Sequence, residues 1–247
     1  MKFLIFLLAM TLSTASYTQK NFEEDTFPTS SGDLNITFIG HGTLMFQWDG
    51  KVIHVDPVMR EADYSQMPKA DLILVTHEHP DHLDTNALRK ILKDNTKVVM
   101  TQACYDMLED PGSMDIKVMA NGDEWNFDSV DIKTIPAYNM VHKRPNGGFY
   151  HPKGRGNGYI LDFGGERVLV AGDTENIPEI KALKDIDIAF LPMNLPYTMT
   201  PEMVADAAKA FKPDILYPYH YGSTDTGELI KLMNGVDGVQ VRIRQLQ

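Results

Sequence analysis

Three of the chain's eight histidines stand within six residues, in His77-Glu78-His79-Pro80-Asp81-His82. Neutral imidazole and carboxylate are the ligands that borderline divalent metals prefer, so the cluster reads as a metal site. His77 and His79 are two positions apart and face one side of an extended stretch. Asp81 and His82 follow the turn at Pro80 and can reach a second point nearby. A helical H-E-x-x-H zinc motif is excluded, because Asp81 stands where its second histidine belongs and Pro80 would break the helix. The bland alternative, a solvated polar loop, fits poorly with three histidines and a carboxylate gathered in one place.

Such a cluster needs a rigid element to aim it. The continuous apolar run 72–76 leads straight into it, and a buried strand ending in a loop holds side chains at one spot. Residues 34–40 alternate as a strand, and 44–48, Asp49-Gly50 and 52–55 form a hairpin signature. Residues 98–101, 116–119 and 130–135 read as further strands, and 83–93 has helical spacing. The second half repeats the theme, with a hairpin over 158–163 and 168–171 and strands at 186–191, 215–218 and 239–243. Helices are predicted over 201–211, with Pro201 in its first turn, and near 228–233. This alternation predicts one α/β domain over 34–247, built of two similar halves with two packed sheets and helices outside.

The motif H-x-H-x-D-H after an apolar strand resembles the metallo-β-lactamase superfamily. Gly40-His41-Gly42 and Val55-Asp56-Pro57 are similar to the opening hairpin of its lactonase-like branch, the ascorbate-6-phosphate lactonase type. Ala171-Gly172-Asp173-Thr174 resembles the family's second motif, and Pro218-Tyr219-His220 its closing histidine. The resemblance implies a four-layer αββα sandwich of two mixed sheets flanked by helices. It implies two divalent ions, zinc or alternatively manganese. His77 and His79 would hold one, Asp81, His82 and His220 the other, with Asp173 shared between them. A hydroxide bridging the metals would attack an ester, lactone, amide or phosphodiester, and Asp81 would orient it as the catalytic carboxylate.

One position departs from the pattern. The family offers a further histidine in a segment like Pro-Ala-x-His, but here Ile135-Pro136-Ala137-Tyr138-Asn139 puts Asn139 in its place. An amide oxygen is a poorer zinc ligand than imidazole. His151, twelve residues on, is the expected replacement ligand, and His142 is the other candidate. Residues 138–161 hold no acidic residue, while Lys143, Arg144, Lys153 and Arg155 make the stretch basic. Such a rim suits a phosphate or carboxylate on a small substrate, with Asn139 and Lys153 as candidate substrate contacts. A solvated flexible loop is the alternative. His41 and Asp56 are expected to support the ligands from behind. His54 reads as structural, Met193, Met199 and Met203 as packing, and Cys104 has no base beside it in sequence.

The whole chain of 247 residues carries Lys+Arg 23 against Asp+Glu 34, a net charge of −11, which argues against general nucleic-acid binding. A single cysteine excludes an intramolecular disulfide and any multi-cysteine metal site. Met1-Lys2, the apolar run 3–10 and the small residues 11–16 read as a signal peptide over 1–16. The apolar run falls well short of the roughly 20 residues that span a bilayer, so no stable membrane insertion is expected after processing. Residues 17–33 read as a loose polar extension. The expectation is an exported, metal-dependent hydrolase of a small molecule. Its alternatives are a phosphodiesterase on the same site and a catalytically silent metal-binding or sensor module.

Overall fold

A computed structural model describes residues 22–247, so the expected signal peptide over 1–16 lies outside the described residues. The first sheet runs β1 (Glu23–Thr29), β2 (Gly32–Gly40), β3 (Thr43–Trp48), β4 (Lys51–Val55), β5 (Leu72–Leu74), β6 (Lys97–Met100) and β7 (Asp115–Val118), in that order. The second contains β8 (Glu124–Phe127), β9 (Val130–Ala137), β10 (Gly156–Phe163), β11 (Glu166–Val170), β12 (Ile188–Pro192), β13 (Ile215–Tyr219) and β14 (Gln240–Val241), again in chain order. Five helices complete the described chain: α1 (Thr85–Ile91), α2 (Gln102–Asp106), α3 (Pro178–Lys181), α4 (Pro201–Phe211) and α5 (Thr226–Met233). Each sheet is antiparallel through its first four strands and parallel from there on. The fold is the expected αββα sandwich of two mixed sheets.

The central strand β5 is apolar on both faces because both are covered. Leu72 and Leu74 enter the core between the sheets, with Phe38, Phe46, Phe163 and Phe190. Ile73 and Val75 point the other way, into a second core shared with Leu88 and Ile91 of α1. Burying each such side chain stabilises the fold by about 1.5–3 kcal/mol, so β5 is firmly held. Asp84 then caps α1, accepting from the N–H groups of Asn86 and Ala87, and ties in the Met59 N–H as well. Thr200 and Pro201 start α4 in the same economical way, a capping hydroxyl followed by a proline at the first helical position.

This topology gathers loops at one edge. β2, β4 and β5 all run toward it, as do β9, β11 and β13 in the other sheet. His41, Asp56 and His77 follow the first three strands; Asn139, Asp173 and His220 follow the second three. Ligand crevices in α/β sheets form at such carboxyl ends.

The extension read over 17–33 is corrected for its described part. Residues Glu23–Thr29 are edge strand β1, paired along its whole length with β2. Only Phe27 of that strand is buried, which hides the period-two signal in the sequence. Asp25 of β1 reaches across to the second sheet, where its carboxylate accepts from Arg244 Nη2 at 2.8 Å and from the Tyr217 hydroxyl. Strand β8 and helix α2 also escaped the sequence reading, since β8 buries only Phe127 and α2 only Cys104. Among the described residues no helix is long and apolar enough to cross a membrane.

Candidate metal centre

At the loop-rich edge the chain leaves its strands abruptly. His41, Asp56 and His220 adopt left-handed backbone, with φ of 52°, 46° and 49°. Non-glycine residues held there cost about 1–3 kcal/mol each, a strain characteristic of functional sites. Gly42 leaves room for the approach: a Cβ there would lie 2.8 Å from His82 Cε1 and 3.6 Å from His220 Cδ2.

Two foursomes of ligand atoms result. His77, His79, His151 and Asp173 form one, and His41, Asp81, His82 and His220 the other, each with its atoms within 4.8 Å of one another. Asp173 belongs to both in distance. Its Oδ2 lies 3.1 Å from His151 Nε2, 3.6 Å from His220 Nε2 and 3.8 Å from His77 Nε2, while Oδ1 lies 3.5 Å from His82 Nε2. Asp81 Oδ2 is 3.2 Å from His41 Nε2 and 3.5 Å from His220 Nε2.

The donor set fits divalent metal. His82 Nε2, His220 Nε2 and Asp173 Oδ1 are buried and have no hydrogen-bond partner. Each such atom costs roughly 1–3 kcal/mol unless something is bound to it, and three of them converge here. Imidazole nitrogen and carboxylate oxygen in this mixture suit a borderline divalent ion.

Ionisation points the same way. Burial lowers the pKa of His77 and His79, so both offer a lone pair at neutral pH. Burial opposes charge on Asp173, but the imidazoles of His220, His82 and His151 outweigh it and hold its carboxyl well below the usual range. Burial likewise opposes charge on Asp81, and His220, His41 and His82 outweigh it. His82 is the exception. Burial pushes it down, yet the carboxylates of Asp173, Asp56 and Asp81 win and raise it to about 9. A metal bound through His82 would displace that proton.

The groups behind the ligands are equally specific. Asp56 is fully buried and accepts from His82 Nδ1 at 2.7 Å, the Thr76 N–H at 2.8 Å and the Thr76 hydroxyl at 2.7 Å. It therefore aims His82 Nε2 at the cluster. Asn139 Oδ1 accepts from the His151 N–H at 2.7 Å and from His151 Nδ1 at 2.8 Å. Glu175, fully buried, accepts from Asn139 Nδ2 and from the backbone N–H groups of Met140, Val141 and His142. Burial works against its charge, but those donors outweigh it and lower its pKa.

Several expectations change. Asn139, expected as a substrate contact, is only 2% exposed and its amide is spent on His151, Glu175 and Tyr197. Lys153 is tied to Glu179 at 2.8 Å and to the Tyr138 hydroxyl at 3.2 Å, outside the cavity. His41, expected behind the ligands, lies in the second foursome, close enough to be a candidate ligand itself. His142 packs on Glu175, its Nδ1 2.9 Å from Oε1, and is in neither foursome. His151 is brought into the first foursome, and Asp56 stands behind His82. His54 is buried in β4 against the Pro68 carbonyl, where burial pushes its pKa down to about 4. Cys104 is buried and its thiol is pushed up to about 12 by burial, so it is inert.

Beside the cluster opens a cavity of about 340 Å³, lined by His79, Asp81, Arg144, Tyr150, Asn194 and Tyr197 among others. Glu175, Asn194 and Tyr197 went unnoticed in the sequence. For Glu175 one signal existed, its place directly after Asp173-Thr174; Asn194 and Tyr197 sit in a loop whose sequence, Met-Asn-Leu-Pro-Tyr-Thr-Met-Thr over 193–200, carries no such signal.

Residues 35–220 match the family model described as a beta-lactamase superfamily domain. A UPF0173 metal-dependent hydrolase of Ligilactobacillus salivarius is 32% identical over 200 residues, covering 77% of this chain and 86% of that protein. One from Thermoplasma acidophilum is 30% identical over 226 residues, covering 86% and 97%. Among solved structures, a metal-dependent hydrolase from Parabacteroides distasonis superposes with a TM-score of 0.85 at 51% identity, covering 92% of this chain and all of that one.

Proposed function

The chain belongs to the β-lactamase superfamily and is a metal-dependent hydrolase, and from that premise we propose that it uses two divalent ions, zinc or alternatively manganese, to cleave an ester, lactone, amide or phosphodiester of a small molecule. The observation that carries this reading is the central place of Asp173, within 3.8 Å of imidazoles from both foursomes. Two neighbouring cations need a shared anionic ligand to offset their repulsion. His77, His79 and His151 would hold one ion and Asp81, His82 and His220 the other, with His41 adjoining the second. Bound there, the ions would supply a nucleophile by lowering the pKa of water toward about 7, and would stabilise charge on the group being cleaved.

The chain's own residues supply position. Asp81 lines the cavity with its side chain 33% exposed, so one carboxylate oxygen is available to the attacking water. Because its carboxyl is held well below the usual range, Asp81 accepts a hydrogen bond without keeping the proton, which makes it an orienting group. Asn194 Nδ2 lies 3.2 Å from His220 Nδ1, and Asp56 fixes His82, so both imidazoles keep their Nε2 atoms turned inward. The enzyme acts after export, a reading supported by the charged start and short apolar run of residues 1–16.

Metal analysis of the purified protein, with a hydrolysis panel of lactones, esters, amides and phosphodiesters, tests this. The expected result is close to two ions per chain and turnover on one class that a chelator abolishes. One ion per chain with chelator-insensitive or absent turnover would overturn it.

A further inference from the structure

The basic stretch over 138–161 carries four cations, and the fold gives three of them other partners. Lys153 is paired with Glu179 at 2.8 Å, Arg155 with Glu78 at 2.7 Å, and Lys143 lies over the Phe149 ring at 4.9 Å. Arg144 differs. It is the one cation among the residues lining the 340 Å³ cavity, and no carboxylate among the described residues pairs with it.

Its backbone is held in place. Arg144 N–H donates to the Gly148 carbonyl at 2.7 Å, and its own carbonyl accepts from Gly147 N–H at 2.9 Å. Lys143 and Phe149 bridge just beyond, so Arg144 stands at the neck of a closed turn, with Gly147 at φ 87°. Its guanidinium lies 5.5 Å from the Tyr150 ring, and Tyr150 meets Tyr197 edge to face at 5.0 Å. Charge and aromatic wall thus stand together at the cavity mouth.

The guanidinium has two close neighbours. One is the Tyr150 carbonyl at 3.1 Å, the other His79 Nε2 at 3.2 Å. His79 Nδ1 faces the cluster, 3.1 Å from His77 Nε2. A histidine that gives its Nδ1 lone pair to a metal carries its proton on Nε2. Two N–H donors then face each other, and His79 is lost to Arg144 as an acceptor. One carbonyl remains for a group with five donors.

We propose that Arg144 is the substrate-anion anchor of this site, a specificity-determining residue that holds a phosphate or carboxylate of the substrate beside the metals while Tyr150 and Tyr197 flank its flat part. The proposal rests on the hydrolase reading above for the word substrate, and on the geometry for the anion. Guanidinium matches a planar or tetrahedral oxyanion with two parallel bonds. At about 30 Å³ per water of liquid, the cavity holds on the order of ten heavy atoms, the size of a small ring with one anionic group.

The test is calorimetric titration of the metal-loaded protein with benzoate, phenylphosphonate and neutral benzamide, with chromatography of the titrated samples to check that the amide bond of benzamide stays intact. Arg144→Gln is expected to weaken benzoate or phenylphosphonate tenfold or more and leave benzamide unchanged. The stronger of the two anions reports whether carboxylate or phosphate is preferred. Arg144→Lys should recover part of the loss, and Lys153→Gln should bind as wild type does. Arg144 is exposed, so its variants should melt with the wild type. Unchanged anion binding in Arg144→Gln, or equal losses for anion and amide, would overturn the proposal. If Arg144 dependence holds while nothing on the hydrolysis panel turns over, the hydrolase reading fails and the anion site stands.

Discussion

Asn139 Oδ1 lies 2.8 Å from His151 Nδ1, and that contact settles which nitrogen of His151 faces the cluster. The orientation of the amide is unambiguous, because Asn139 Nδ2 meets two acceptors, Glu175 Oε1 at 3.0 Å and the Tyr197 carbonyl at 2.9 Å. His151 Nδ1 must then be a donor, which turns its Nε2 toward Asp173 Oδ2 at 3.1 Å. A positive charge between these two atoms, a proton or a bound metal ion, is what holds them at that distance. The residue that replaces the expected histidine is thus the one that positions another in its stead.

His151→Ala should therefore lower metal content from near two ions per chain toward one, read by elemental analysis, and cut turnover by orders of magnitude. Asn139→Leu, which keeps the volume but loses the acceptor, should weaken metal binding about 10–100-fold without touching a ligand. His142→Ala should retain the full complement. Full metal content in His151→Ala would remove it from the ligand set.

Asp56 offers a second test from behind the other foursome. Asp56→Asn keeps the shape but presents one amide donor where His82 Nδ1 and two Thr76 donors need acceptors. Metal affinity should fall about 10–100-fold, measured by competition with a chelator. A variant that binds as tightly as wild type would show that His82 is aimed by packing alone.

His54 gives the pH dependence of stability. Its folded pKa of about 4 lies below the ordinary value of 6.5, so between those values the unfolded chain binds the extra proton. Stability is therefore complete above pH 6.5 and is lost as pH falls toward 4, at up to about 1.4 kcal/mol per pH unit. Urea midpoints at pH 7 and 5 should fall more for wild type than for His54→Gln. Equal falls would show that other groups carry the acid sensitivity.

Export is checked by mass spectrometry of the protein recovered from its natural host. The expected result, from the small residues 11–16 after the apolar run, is a mature N-terminus between residues 14 and 20. An intact Met1 on a cytosolic protein would reject the signal-peptide reading.

Much of this molecule is written locally. The apolar run into His77 and the Asp49-Gly50 turn can be read without coordinates, because a strand's period and a turn's backbone are set by neighbours in sequence. The H-x-H-x-D-H spacing is equally local, since one loop carries all four of its candidate ligands. What only the tertiary structure decided is pairing across distance. Asn139 and Glu175 are 36 residues apart, and a buried acid that organises a loop has the same sequence signature as an exposed one. The four cations of the 138–161 stretch look alike in sequence. Which of them meets an acid depends on where Glu78 and Glu179 arrive from other parts of the chain, and so only Arg144 is left facing the cavity. Strand β1 was hidden for a related reason: Asp25 draws its stability from Tyr217 and Arg244, about two hundred residues away, and the extended strand itself buries a single phenylalanine.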